Sequence, residues 1–237
     1  SHPRDNRGCA AVGLPKRTDL HFVFSRDGKK FDNLRKDPDI ASSGWGSGKW
    51  DTGYLSATAG ICIIMGDELW FYYSGLRGDG NNTKPDPWQK NGMYTNGSIG
   101  IAKLRRDGFA GMVADATGEL ETKPLVFTEK SKSKHLFVNA DTMFGSVAAE
   151  VLDESGKVIP GFEGENCEVL KGKDATKAEL KWKGANLAKL TGKKVCFRFK
   201  VTCATLFSFW VSSSERGESK GYVAAGGPDY PAGLRDL

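Results

Sequence analysis

The sequence predicts an all-β chain in two parts, a propeller-like blade region followed by a β-sandwich. Three observations carry that expectation. Runs rich in β-branched and aromatic residues end in glycine-bearing turns, in a chain with 30 glycines and 11% aromatic residues. Amphipathic helical periodicity is nearly absent, and only Ala185 to Leu190 has the pattern of one short turn. In the second half, short apolar runs recur at the spacing of a sandwich, separated by turns such as Asp153-Glu154-Ser155-Gly156.

Residues 1 to 18 are polar and turn-rich and read as loop. Leu20 to Phe24 is a strand that runs into Ser25-Arg26-Asp27-Gly28-Lys29-Lys30-Phe31. That run fits Ser-x-Asp-x-Gly-x-x-aromatic, the Asp-box hairpin of sialidase-type propellers. Its spacing is structural: Ser and Asp bond the turn amides, Gly takes a positive φ, and the aromatic anchors the turn. A loop from Asn33 to Lys49 carries Trp45 among glycines and serines and leads into Trp50-Asp51-Thr52-Gly53-Tyr54.

Three strands then follow in close order, Tyr54 to Ala59, Ile61 to Met65 and Glu68 to Ser74, with Gly66-Asp67 as the hairpin turn between the last two. A long loop from Leu76 to Asn96 precedes a fourth strand, Ser98 to Leu104. Four consecutive antiparallel strands of this length make one propeller blade. From Ala114 the composition shifts. Strands are expected at Leu125 to Thr128, His135 to Asn139, Ser146 to Leu152, Glu168 to Leu170, Ala178 to Trp182, Lys194 to Val201 and Leu206 to Val211. The boundaries are therefore 1–114 for the blade region, 115–212 for the sandwich and 213–237 for an extended tail rich in Ser, Gly and Pro.

Composition narrows the function. With 237 residues, 39% of them hydrophobic, the chain can bury a substantial core. No apolar run is long enough for a transmembrane helix. The net charge of +5 is spread through lysines alternating with acids, as in Glu179-Leu180-Lys181-Trp182-Lys183. That pattern is a solvated strand face, with an anionic polysaccharide as a further partner it would tolerate. No basic tract sits in a nucleic-acid-binding motif. Gly44-Trp45-Gly46-Ser47-Gly48-Lys49 lacks both Walker spacing and a following helix. His21 and His135 have no nucleophile motif around them and read as structural.

Five cysteines, at 9, 62, 167, 196 and 203, show no Cys-x-x-Cys spacing, which leaves no metal site and no cofactor in the expectation. Cys196 and Cys203 flank an apparent hairpin, where they can bridge to each other or to Cys167. The sequons at Asn81 and Asn96 fall in one loop. With the cysteines they point to a secreted glycoprotein, and the polar start, Ser1-His2-Pro3-Arg4, reads as a mature or processed terminus.

An ordered series of motifs then resembles a known family. It runs Trp50-Asp51-Thr52-Gly53, Gly66-Asp67-Glu68-Leu69-Trp70-Phe71-Tyr72-Tyr73-Ser74-Gly75, Gly97-Ser98-Ile99-Gly100-Ile101-Ala102 and Leu104-Arg105-Arg106-Asp107-Gly108-Phe109. The sandwich half adds Leu136-Phe137-Val138-Asn139-Ala140, Ile159-Pro160-Gly161-Phe162 and Leu190-Thr191-Gly192-Lys193. Together these resemble the C-terminal part of proteins related to glycoside hydrolase families 32 and 43, five-bladed propellers often followed by a β-sandwich. The resemblance implies that the blades here are late ones and the propeller incomplete. It implies that the earlier blades come from a second chain or a cleaved precursor part, and that the partner molecule is a carbohydrate.

Glycoside hydrolysis needs two carboxyl groups, one protonated and one acting as base or nucleophile. The resemblance puts such acids at the entry to inner strands, which matches Asp51. In an up-and-down blade the same rim would hold Asp67 and Glu68, with Trp45, Trp50 and Tyr54 available to a sugar. The plain alternatives are a turn cap for Asp51, a solvated hairpin for Asp67 and Glu68, and packing for the tryptophans. The competing functional reading is a non-catalytic carbohydrate-binding or structural extracellular protein.

Overall fold

In a computed structural model the protein is all-β. The structure describes residues 17–25, 27–33, 36–44, 47–57, 62–77, 95–128 and 132–219. The chain divides into two compact units, Ser1–Ile63 with Trp70–Lys103, and Ile64–Leu69 with Leu104–Leu237. Among the described residues no helix is long and apolar enough to cross a membrane.

The first sheet contains β1 (Tyr54–Ala57), β2 (Ile63–Met65), β3 (Glu68–Leu76) and β4 (Gly97–Arg105). β3 is its centre, a run of Leu, Trp, Phe and Tyr with high strand preference. The Gly66-Asp67 turn forms as the sequence requires, with Gly66 at φ +62°. The strand order is not the expected meander, because β1 pairs with β3 and not with β2. Tyr54 stands opposite Leu76 and Ala57 opposite Tyr73. β3 is nine residues long, enough to take β1 along its C-terminal half while β2, tied by a two-residue turn, stays with its N-terminal half.

The Ser25–Phe31 hairpin forms around its acid. Asp27 Oδ1 accepts from the Lys29 and Lys30 amides, both at 2.8 Å, and Gly28 N donates to Ser25 Oγ at 2.8 Å. Those backbone amides hold the Asp27 carboxyl below the usual carboxylate range. Phe24 and Asp32 close the hairpin as an antiparallel bridge. Phe31 does not anchor it, since it is 61% exposed.

The second sheet contains β5 (Met112–Glu121), β6 (Leu125–Val126), β7 (His135–Asp141), β8 (Ser146–Leu152), β9 (Leu170–Lys171), β10 (Asp174–Leu180) and β11 (Lys194–Ser212), and closes almost into a barrel. Its registers simplify it. β7 and β8 run along β11 one after the other, Ser212 opposite His135 at one end and Cys196 opposite Leu152 at the other. β10 and β9 run likewise along β7 and β8, and β5 and β6 along β11. The seven segments thus act as four long antiparallel strands; β7/β8 and β10/β9 break along one line, and β5 and β11 shift register along it.

That line is a crease. β11 shifts register at Thr202/Ala204, where Cys203 takes φ +42°. The inward side chains change parity across it, from Val195, Phe197, Phe199 and Val201 to Ala204 and Leu206. The extra residue is a β-bulge, which bends the strand and flips the alternation. In the neighbouring strand, buried Thr142 donates to Lys173 O at 2.8 Å and receives Gly172 N on its own carbonyl at 2.8 Å. A Cβ on Gly145 would run into the carbonyls of Thr202 and Cys203. Folded along this line, the sheet buries both halves of its inner face in one cluster. Phe127, Phe197, Phe199 and Phe209 meet there at centroid distances of 5.1–6.1 Å.

Two expectations are corrected by β11. Residues 194–212 form one strand, not two strands around a hairpin. Cys196 and Cys203, seven positions apart along it, lie well beyond disulfide reach at ~3.3 Å of rise per residue. Cys167, Cys196 and Cys203 are thiols, and no disulfide joins described residues. The two units divide the chain at Ile63/Ile64, Leu69/Trp70 and Lys103/Leu104, and β5, which straddles 114, pairs along β11.

Candidate functional site

The first unit positions Asp51 through its loops. Thr18 clamps the start of β1, its hydroxyl donating to Leu55 O at 2.7 Å while Leu55 N donates to it at 2.8 Å. Buried Thr52 donates to Lys49 O at 2.5 Å. Between these fixed points Asp51 accepts twice from Ser43, the amide on its carbonyl at 3.0 Å and the hydroxyl on carboxylate Oδ1.

Trp50 lies across glycines. A Cβ on Gly75 would enter the Trp50 ring, and one on Gly100 would come within 2.6 Å of it and 2.7 Å of Tyr73. The two glycines let Trp50 stack on Tyr73, with centroids 5.6 Å apart and planes 24° apart. Burial pushes the Tyr73 phenol above its ordinary range, and the Asp51 charge adds to the shift. Asp51, Trp50 and Tyr73 therefore form one constellation, of which the sequence indicates the first two.

Tyr73 also lines a cleft of about 370 Å³ with Leu20, Phe22, Ile40, Phe71 and Asp39. Phe22 and Phe71 meet edge to face at 4.8 Å. Asp39 Oδ2 accepts the Phe22 amide at 2.7 Å, and the Leu20–Ile40 bridge brings the two segments together. A carboxylate among aromatic rings is the usual make-up of a small-molecule site, a mainly apolar wall with a few placed polar groups. Asp39, Phe22 and Phe71 escape sequence reasoning because a long-range bridge assembles them. The only local trace is the alternation of Leu20 and Phe22.

The other expected residues lie elsewhere. Tyr54 opens β1 and is half-buried. Glu68 opens β3 and Asp67 precedes it in the hairpin turn, at the opposite end of that strand from the Tyr54–Leu76 pair. Asp67 belongs to the second unit, where its carboxylate accepts from Thr176 and its carbonyl from Arg106 N at 2.8 Å. Beside it Arg105 donates to Asn139 at 2.6 Å and to Asp174, and lies 4.8 Å above the Phe207 ring. This is a packing network. Trp45 and Asn81 fall outside the described residues, and Asn96 sits just before β4 at φ +53°.

Among the described residues no cluster of His, Cys, Asp and Glu is arranged to hold a metal ion. No protein-family profile, curated protein sequence or solved structure matches the chain.

Proposed function

We propose that this chain is part of a secreted, glycosidase-like protein built from late propeller blades and a β-sandwich, and that the cleft of the first unit binds a sugar. The observation that carries the reading is the cleft itself, where Phe22, Phe71 and Tyr73 surround the Asp39 carboxylate. Aromatic faces take the C–H face of a pyranose or furanose ring, and the carboxylate takes a pair of its hydroxyls. Trp50 and Asp51, held against Tyr73, extend the same surface. Hydrolysis of a glycosidic bond would use Asp51 together with acids from further blades on a second chain. Ile63, Ile99 and Ile101 of the first unit, exposed among the described residues, favour such an association.

A second reading, binding without turnover, is favoured by the lining of the cleft, where Asp39 is the one carboxyl among the described residues, whereas hydrolysis requires two. A glycan array run beside a panel of chromogenic glycosides separates the two. Array binding that Tyr73→Ala weakens at least about tenfold supports the cleft. Turnover abolished by Asp51→Asn supports the enzyme, binding with no turnover supports the second reading, and the absence of both removes the cleft as a sugar site.

A further inference from the structure

We infer that the outer face of the second unit carries a separate binding groove for a neutral, hydroxyl-rich ligand, a short oligosaccharide. The groove follows from three rows of outward side chains set by the registers of β5, β11 and β8. In the first row Thr117, Thr202 and Ser146 stand side by side, the two threonine hydroxyls 3.0 Å apart. In the last row Arg198 is closed off by Glu121 at 3.2 Å and Glu150 at 3.4 Å.

The middle row is different. Lys200 stands opposite Glu119 on one side and Ala148 on the other, and the alanine leaves a hole beside the long side chains of Lys200 and Glu150. Neither Lys200 nor Glu119 makes an ion pair among the described residues. The 3-10 turn Gly164–Asn166 walls the hole, seated by Gly164 N on Glu150 Oε1 at 3.2 Å. A Cβ on Gly164 would stand 3.1 Å from that oxygen, so glycine permits the approach. Exposed Glu165 and Val169 complete the rim of a groove of about 520 Å³, well within the ~300–1,000 Å³ of small-molecule sites.

The chemistry of the walls selects the ligand. Lys200 and the hydroxyls of Ser146 and Thr202 donate, Glu119 and Glu165 accept, and both kinds line the one groove. A simple anion would meet the carboxylates and a polycation would meet Arg198 and Lys200. A sugar hydroxyl both donates and accepts, and Ala148 and Val169 offer its C–H face an apolar contact. The groove does not depend on the cleft of the first unit.

Backbone amide NMR on the full chain tests this with maltotriose, cellotriose and xylotriose as probes and with sulfate and spermine as charged controls. At least one trisaccharide is expected to give saturable shifts at residues 146–150, 164–169 and 198–202. Lys200→Ala should weaken that binding at least about tenfold, the worth of one charge-assisted hydrogen bond. Ala148→Trp should abolish it by filling the hole, and Tyr73→Ala in the other unit should leave it unchanged. Saturable shifts only at residues 20–23 and 71–73 would overturn the groove while leaving the cleft intact. Shifts with sulfate or spermine alone, no shifts with any probe, or binding that survives both groove substitutions would also overturn it. If Ala148→Trp perturbs the fold, Lys200→Ala and Glu119→Gln decide the matter.

Discussion

The two units are held together in different ways. In the second, nineteen buried residues among those described form one cluster beneath the creased sheet, and Phe197, Phe199 and Val147 are sealed from solvent. In the first, Leu55 is the only hydrophobic residue among those described that is buried, while Val23, Phe31 and Ile99 are exposed. Order there comes from threonine and aspartate side chains that bond backbone groups and from Trp50 laid across Gly75 and Gly100. Burial at ~25 cal/mol per Å² builds a self-sufficient core, whereas net hydrogen bonds of ~1 kcal/mol each build a surface that stays open. Binding surfaces are drawn from the less stable parts of a protein. On that ground the cleft of the first unit is the place to look for function and the interior of the second is scaffold.

The largest expected effect tests the scaffold. Phe197→Ala should cost about 3–5 kcal/mol, the range for a buried Phe that leaves a cavity, and should shift the main denaturant transition. A loss below about 1 kcal/mol would mean the cluster is not the stabilising core. A smaller effect is expected for Trp50→Ala. It removes the Tyr73 stack, worth ~0.5–1.5 kcal/mol beyond area, together with the cover over two glycines. Hydrogen exchange should speed up in β1, in residues 70–76 and in residues 97–103, and stay unchanged in β7, β8 and β11. Equal loosening of those three strands would break the comparison drawn above.

The smallest effect is a titration. Tyr73 keeps its proton above the ordinary tyrosine range because its phenol is partly buried and Asp51 repels the phenolate. A raised value in the folded state gives a contribution that is complete below the unfolded tyrosine value and is lost as pH rises through the folded one. Asp51→Asn removes the second cause only. The Tyr73 midpoint, followed by phenolate absorbance, should fall and still remain above that of a free tyrosine. An unchanged midpoint would separate Asp51 from Tyr73 and weaken the constellation that links Trp50 to the cleft.

What could be read in the sequence was what local chemistry specifies. The Gly66-Asp67 hairpin and the Ser25-Asp27-Gly28 turn are written in side chains that bond their own turn or a glycine that takes positive φ, and both form. The strand character of residues 68–74 and 146–152 follows from composition alone. Partner choice is non-local and was not legible, hence the β1–β3 pairing in place of a meander. Thr202-Cys203-Ala204-Thr205 looks like a break between two strands. Its one clue to continuity is the lack of any Gly, Pro, Asn or Asp to make a turn. Asp51 and Trp50 were legible as a pair because they are adjacent, whereas Asp39 reaches the aromatic rings only through the Leu20–Ile40 bridge.

The creased sheet also sets a schedule for synthesis. β5, β6, β7 and β8 all find their partner in β11, which the ribosome makes after every one of them. From Met112 to Ser212 the chain advances 100 residues (212 − 112), about 5–20 s at ~5–20 residues per second. Through that interval the earlier strands wait with unpaired edges, and loop closure over such separations is slow in its own right. β11, the last of the described strands to emerge, is the one that shuts the crease, so a chain truncated before Lys194 would deprive four strands of a pairing partner at once.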